Sequence, residues 1–261
     1  MVGKTVVLGN GFLGKKFAMR GYEVWDKKRF IISTLPCDLS VLNEYNVVVN
    51  CISKSNTRYC EAKENFSEAL WSNGLVPGVL SEYCANNDKK FVHISSGCLY
   101  DDCGIGYPYQ EKDDITAHLN YTVTKWVGEQ GCNDQDLILR PRLLFGDFED
   151  RNNLLCKLPK FTKFVTAYNS YTSVDTIVDA VEALLERNQS GVFNVSCEGW
   201  ATVRDLAYWI GLEGEGISAE ELRRQENLYL VNNTMDITKL QEFYQPPELK
   251  YEIMRCWEAL K

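Results

Sequence analysis

Lys4-Thr5-Val6-Val7-Leu8-Gly9-Asn10-Gly11-Phe12-Leu13-Gly14 is the stretch that decides the fold. Its first five residues form a short apolar run that predicts a strand. Gly9, Asn10, Gly11, Phe12, Leu13 and Gly14 then read G-x-G-x-x-G, and Lys15 to Arg20 reads as helix. Strand, glycine turn and helix in that order are the context a dinucleotide fingerprint requires. The glycines permit a tight turn and close backbone approach, and the helix amino end offers N–H groups to a pyrophosphate. These six residues are the expected pyrophosphate cradle.

Outward from that turn, strand and helix patterns alternate. Tyr22 to Asp26 reads as a second strand, and Val41 to Tyr45 as helical. Asn46 to Ile52 is a continuous β-branched run. Cys60 to Cys84 reads as largely helical, broken at Asn73-Gly74 and at Pro77-Gly78, and Lys90 to Ser96 is a further strand. Such alternation predicts an α/β fold with a parallel, doubly wound sheet of the Rossmann type. Ligands then bind beyond the carboxyl ends of the strands, where Ser96 and Cys98 fall. Leu137 to Arg140 and Gly191 to Val195 read as later strands. Thr172 to Arg187 and Val203 to Ile210 read as helices, the second capped by Thr202, and a last helix follows Pro246-Pro247. The expected division is a nucleotide-binding domain over 1–150 and a smaller substrate-binding lobe over 151–261, with some elements returning to the first domain.

Two stretches, 26–29 and 38–39, speak to the cofactor. Asp26, at the end of the second strand, suits a ribose hydroxyl and so NAD. Lys27, Lys28 and Arg29 suit a 2′-phosphate and so NADP, the reading preferred here. Asp38 and Leu39 stand where such folds contact adenine.

Tyr121-Thr122-Val123-Thr124-Lys125 carries the chemistry. Tyr121 and Lys125 share a helix face at a spacing of four. A lysine ammonium beside a phenol favours the phenolate and lowers a pKa of ~10 in water. A tyrosine tuned this way exchanges a proton with a carbinol oxygen near neutral pH.

The chain has 261 residues, is 45% hydrophobic and carries a net charge of −8. That charge argues against nucleic acid or anionic membrane as partners, and no apolar run approaches the ~20 residues of a membrane helix. A cytoplasmic protein is expected. The ten cysteines include Cys103 and form no C-x-x-C pair, so reduced thiols, mostly buried, and no metal site are expected. Residues 140–163 are locally basic, with Arg140, Arg142, Arg151, Lys157, Lys160 and Lys163 against Asp147, Glu149 and Asp150. Such cations suit a nucleotide diphosphate.

The glycine fingerprint, Ser96, the Tyr121/Lys125 pair about 25 residues later and a small C-terminal lobe together resemble an extended short-chain dehydrogenase/reductase of the nucleotide-sugar kind. The family's Ser/Thr, Tyr and Lys match Ser96, Tyr121 and Lys125, with Lys125 also implied to hold the cofactor ribose. Gly97 and Cys98 replace the Asp-Glu of the dehydratases. Ser96-Gly97-Cys98-Leu99-Tyr100 is similar to the Thr-Gly-Cys-Ile-Phe of the bifunctional 3,5-epimerase/4-reductases of UDP-rhamnose synthesis. The sequences Arg140-Pro141-Arg142 and Asn153-Leu154-Leu155-Cys156-Lys157 resemble that group's Arg-x-Arg and Asn-Phe-x-x-Lys. Leu154 departs from the Phe, and Leu8 takes the first glycine position of the family's G-x-x-G-x-x-G, with Gly9 one residue nearer.

The resemblance implies an NADP-dependent enzyme acting on a 4-keto-6-deoxy nucleotide sugar. Cys98 and Lys157 are the candidate acid and base of epimerisation, and Arg142, Asn153 and Lys157 the candidate substrate contacts. It extends to a homodimer built through the Tyr/Lys helix. Two alternatives stay open: a 4-keto reductase without epimerase activity, like dTDP-4-dehydrorhamnose reductase, and a cofactor-binding regulatory subunit.

Overall fold

The computed structural model describes residues 3–30, 32, 37–100, 107–116, 118–226 and 230–261. Six strands form the main sheet: β1 (Thr5–Leu8), β2 (Glu23–Trp25), β3 (Val47–Asn50), β4 (Lys90–Ile94), β5 (Leu137–Pro141) and β6 (Gly191–Val195). Their order is β6-β5-β4-β3-β1-β2. β1 pairs in parallel with both β2 and β3, β3 with β4, and β4 with β5. Val6, Val7, Leu8, Val48 and Val49 are wholly buried, as expected of parallel strands covered on both faces. The strand order reverses beside β1, so the carboxyl ends of β1 and β3 flank the crevice where this architecture binds ligands.

Chain contacts define two units. The first comprises Met1–Leu99, Ala117–Arg140 and Val181–Phe193, and the second Tyr100–Thr116, Pro141–Ala180 and Asn194–Lys261. The chain crosses between them repeatedly, so no single cut, at 150 or elsewhere, separates them. In the first unit Val6, Leu8, Trp25, Leu42, Val48, Leu80 and Phe91 share one apolar cluster. In the second, Phe145, Leu158, Phe164, Leu206 and Ile253 belong to another. Short strand pairs bring together Leu144–Phe145 with Thr172–Ser173, Lys163–Val165 with Glu215–Ile217, and Tyr168–Asn169 with Ala201–Thr202.

Several expectations need correction. The helix after the glycine turn starts earlier than the sequence suggests, spanning Phe12–Met19, because Gly11 serves as its N-cap. Thr172 and Ser173 belong to a strand, and the following helix is Val174–Glu186. Ser173 Oγ accepts the Thr176 N–H at 3.0 Å and caps it. The expected breaks at Asn73-Gly74 and Pro77-Gly78 are absent. Phe66–Leu70 runs through a π-helical turn, Trp71–Leu75, into Val76–Asn86. Pro77 sits in the first turn of that last helix, where no N–H is required. Gly74 serves close packing: a Cβ there would lie 3.1 Å from Val127 and 3.2 Å from the Thr124 carbonyl. One on Gly128 would lie 2.2 Å from the Asn73 carbonyl. The helical run thus presses its π-turn onto the helix Asn120–Gln130.

Among the described residues the nine cysteines are free thiols; Cys60, Cys84, Cys197 and Cys256 are buried and the rest half-buried. Cys103 lies outside the described residues. No described helix is long and apolar enough to cross a membrane.

Candidate active site

The turn after β1 has the stereochemistry of a phosphate cradle. Gly9 has φ +107°, and a Cβ there would meet the Cys51 backbone at 2.9 Å. Gly14 needs its missing side chain more acutely, since a Cβ would lie 1.9 Å from the Gly9 carbonyl oxygen. Among the described residues, apart from its chain neighbours and the following helix's own backbone, no atom lies within 4 Å of where a Cβ on Gly11 would stand. The three glycines thus make the tight turn, the open approach and the close helix–strand packing of a dinucleotide site. Phe12 and Leu13 are buried beneath the turn, and Asn10 is exposed.

At the end of β2, Asp26 Oδ1 accepts the Lys28 and Arg29 N–H groups, both at 3.0 Å. Those backbone bonds hold its carboxyl below the usual range. Arg29 is paired with Glu23 at 2.7 Å and lies over the Trp25 ring, which leaves Lys27 and Lys28 as the more available cations of the triplet. Asp38 closes an Asx turn on the Ser40 N–H at 2.9 Å, and Leu39 is buried beside Trp25 and Phe30.

Ser96, Cys98, Tyr121 and Lys125 come together in the first unit. Ser96 follows β4 and is buried, and its Oγ accepts the Cys98 N–H at 3.1 Å. Cys98 lies in the short turn Gly97–Leu99 and packs into a cluster with Tyr121, Cys60 and Ala69. Tyr121 and Lys125 share the buried face of the helix Asn120–Gln130. Lys125 is wholly buried, and its Nζ donates to the Ile94 carbonyl at 2.7 Å, which ties it to the end of the strand that leads to Ser96. Desolvation lowers its ammonium to about 8, against the opposing pull of Glu129. Glu129 in turn receives Arg140 through two guanidinium nitrogens, Nε at 3.0 Å and Nη2 at 2.6 Å, both side chains being buried.

Other residues that position this helix escaped the sequence reading. Asn73 is fully buried; its amide oxygen accepts Ser53 Oγ–H and the Lys54 N–H, and its amide nitrogen donates to Thr124 Oγ1 at 3.1 Å and to the Lys54 carbonyl. It ties the loop after β3 to the middle of the helix. Glu61 accepts the Tyr121 N–H at 3.2 Å, placing a carboxylate at the helix amino end, where it is favourable. The signal for Asn73 is a polar residue on an apolar helical stretch; Glu61 gives none.

The remaining candidates lie in the second unit. Asn153 is fully buried, and among the described residues its side chain engages backbone: Oδ1 accepts the Gly146 and Leu155 N–H groups, and Nδ2 donates to the Gly146 and Phe148 carbonyls, both at 2.8 Å. Its side chain holds a loop and caps the helix Leu154–Lys157. Arg142 is buried and donates to Asn169 Oδ1 at 2.8 Å and to the Val231 carbonyl. Lys157 is half-buried with its Nζ 3.4 Å from the Asn152 carbonyl, and desolvation lowers its pKa. The basic segment therefore needs correction, since Arg140 and Arg142 are internal. Among the described residues no three His, Cys, Asp or Glu side chains are grouped to hold a metal ion.

The profile of a protein family, RmlD substrate binding domain, matches residues 38–223. The chain belongs to this family. Over 97% of its length it is 23% identical to a trifunctional UDP-glucose 4,6-dehydratase/UDP-4-keto-6-deoxy-D-glucose 3,5-epimerase/UDP-4-keto-L-rhamnose-reductase of Arabidopsis thaliana, of which it spans 40%. The UDP-rhamnose synthase of Acanthamoeba polyphaga mimivirus superposes with a TM-score of 0.84 at 18% identity, covering 100% of both chains. The dTDP-4-dehydrorhamnose reductase of Bacillus anthracis, solved with NADP, does so with a TM-score of 0.84 at 18% identity over 99% of each chain. These likenesses establish the Rossmann-like α/β fold.

Proposed function

We propose that the protein is an NADP-dependent enzyme that epimerises a 4-keto-6-deoxy nucleotide sugar and reduces its 4-keto group. The observation that carries this reading is the wholly buried Lys125, on one helix face with Tyr121 and bonded to the last residue of the strand that leads to Ser96. The 4-keto reduction is supported by membership of the RmlD family, and NADP by its presence in the Bacillus anthracis relative. The turn from Gly9 to Gly14 would hold the pyrophosphate, and Lys27 or Lys28 the 2′-phosphate. When bound, the nicotinamide supplies hydride to C4.

Tyr121 gives its phenolic proton to the C4 oxygen, and the neighbouring ammonium of Lys125 stabilises the phenolate left behind. Ser96 donates its hydroxyl hydrogen to the same oxygen as negative charge develops there. The 4-keto group also acidifies the protons at C3 and C5, because the enolate spreads onto the C4 oxygen. Inversion needs one group to remove a proton and another to return one on the opposite face. Cys98 and Lys157 are assigned to these transfers; the lowered pKa of Lys157 suits a lysine that moves protons. The epimerase assignment is supported by Ser96-Gly97-Cys98 and by the Arabidopsis relative, whose name includes that activity.

The test is exchange in deuterated water. Wild type should place deuterium at C3 and C5, and Cys98→Ser should lose that exchange while still reducing a keto sugar supplied already epimerised. Lys157→Ala should impair exchange at one or both carbons. Wild-type exchange rates in Cys98→Ser would make the thiol structural. No exchange in the wild type would leave a reductase alone.

A further inference from the structure

Two buried polar side chains at the carboxyl end of β4, His93 within it and Ser95 just after it, are not used by the reaction above. His93 and Ser95 are two residues apart, and the Ser95 N–H still donates to the Leu139 carbonyl of β5 at 2.7 Å, so the alternation of the strand continues and both face the same side of the sheet. His93 is wholly buried and Ser95 nearly so. The Asn50 amide oxygen accepts the Ile52 N–H at 3.1 Å, which turns its nitrogen toward His93 Nδ1 at 3.2 Å. Nδ1 is thus the acceptor, and the ring hydrogen belongs on Nε2. Burial, reinforced by the charge on Lys125, holds the imidazole neutral, its pKa well below the ordinary histidine value. Neither His93 Nε2 nor Ser95 Oγ has a hydrogen-bond partner among the described residues. Buried polar groups are rarely left so, and internal water is the usual partner.

Between the two stands Ile94, whose carbonyl receives the Lys125 ammonium at 2.7 Å. That ammonium has three hydrogens to place. The titratable groups around it are Tyr121, Glu129 and Cys132 from its own helix and the turn after it, Cys51 from the loop after β3, Cys60 from the helix Thr57–Glu61, and His93 from β4. Burial pushes the Cys51 thiol up to about 12 and the Cys60 thiol to about 11, so both are neutral. Cys132 is raised by burial as well. Glu129 is the one carboxylate among these groups, and Arg140 already occupies it. The cation therefore depends on dipoles.

We propose that His93 Nε2–H, Ser95 Oγ and Lys125 Nζ share one internal water that solvates the buried ammonium, making His93 and Ser95 positioning residues for Lys125. The water oxygen accepts from the ammonium and from the imidazole, and one of its hydrogens goes to Ser95. The proposal needs Lys125 to be buried and charged; only its kinetic consequence rests on the function proposed above.

The experiment is an NMR titration of the full chain carrying ¹⁵N-labelled lysine, with the Lys125 signal assigned by its loss in Lys125→Met. His93→Phe removes the donor and fills the space. Removing solvation from a buried cation disfavours its charged form, so the Lys125 midpoint should fall by about one pH unit or more. His93→Gln keeps an N–H donor and should recover most of that shift. Ser95→Ala should give a smaller fall in the same direction and carries the test if His93→Phe does not fold. In a high-resolution crystal structure of the wild type, one water should bond to all three groups. A midpoint unchanged in the folded variants, or a crystal structure without that water, overturns the proposal. The alkaline limb of the reduction rate should move with the midpoint. A midpoint that moves while the rate limb stays keeps the water and refutes the role of Lys125 in the reaction.

Discussion

Two helices of similar length bury opposite chemistry. Val174–Glu186 turns Val174, Ile177, Val178, Ala180, Val181 and Leu184 inward, all wholly buried. Asn120–Gln130 turns in Tyr121, Thr122, Thr124, Lys125, Gly128 and Glu129, and leaves Val123 at the surface. The first is held by apolar burial, about 25 cal/mol per Å² and indifferent to direction. The second is held by named pairs: Thr124 to Asn73, Lys125 to the Ile94 carbonyl, Glu129 to Arg140. Burying those groups costs free energy that an aliphatic stripe would not. A helix built this way is kept for what its buried groups do, and substitutions in the two helices should fail differently.

The largest contrast is expected at Tyr121. Tyr121→Phe should keep the fold and cofactor binding and lower kcat at least ~100-fold, since a proton donor contributes roughly 10²–10⁴. A variant within about threefold of wild type would remove Tyr121 from the mechanism. Glu129→Ala leaves Arg140 buried without its partner and should cost about 3–5 kcal/mol in denaturant unfolding. Replacing both, as Glu129→Leu with Arg140→Met, should recover most of that; equal losses in the single and double variants would show that the pair does not hold the helix. Ile177→Ala, in the apolar helix, should cost about 2–5 kcal/mol of stability and leave kcat of the folded protein unchanged. A kcat effect without a stability effect would erase the distinction.

A smaller effect is expected from pH. Lys125 is lowered to about 8 in the fold from an ordinary 10.5. Between those values the unfolded chain binds more protons at this residue, so its contribution to stability rises with pH. That contribution is fullest above about 10.5 and is lost as pH falls through about 8. The stability of wild type minus that of Lys125→Met, measured from pH 7 to 10, should therefore rise with pH. A flat difference would mean that the ammonium is solvated as well as in water.

The same contrast explains what the sequence reveals. The apolar stripe of Val174–Glu186 and the β-branched runs of β1 and β3 follow the helical and strand periods and can be read directly. The polar stripe has no such signature, and Tyr121 and Lys125 stand out only as a pair with a known chemistry. Asn73 meets Thr124 across 51 positions, and His93 meets Asn50 across 43, so neither partnership is visible in any local window. Asn153 and Arg142 show the opposite limit. Their residue types suit a ligand, and the sequence does not show the internal bonds they also make, to backbone and to Asn169.

The central claim, that Tyr121 and Lys125 serve reduction at C4 of a 4-keto nucleotide sugar, is most directly tested by following a label. Wild type and Tyr121→Phe would be incubated with UDP- or dTDP-4-keto-6-deoxyglucose and NADPH deuterated at the transferable position, and the product sugar read by NMR. The account predicts one deuterium at C4 with wild type and at most a trace with the variant over the same time. Product without deuterium at C4, or equal labelling by both proteins, would contradict it.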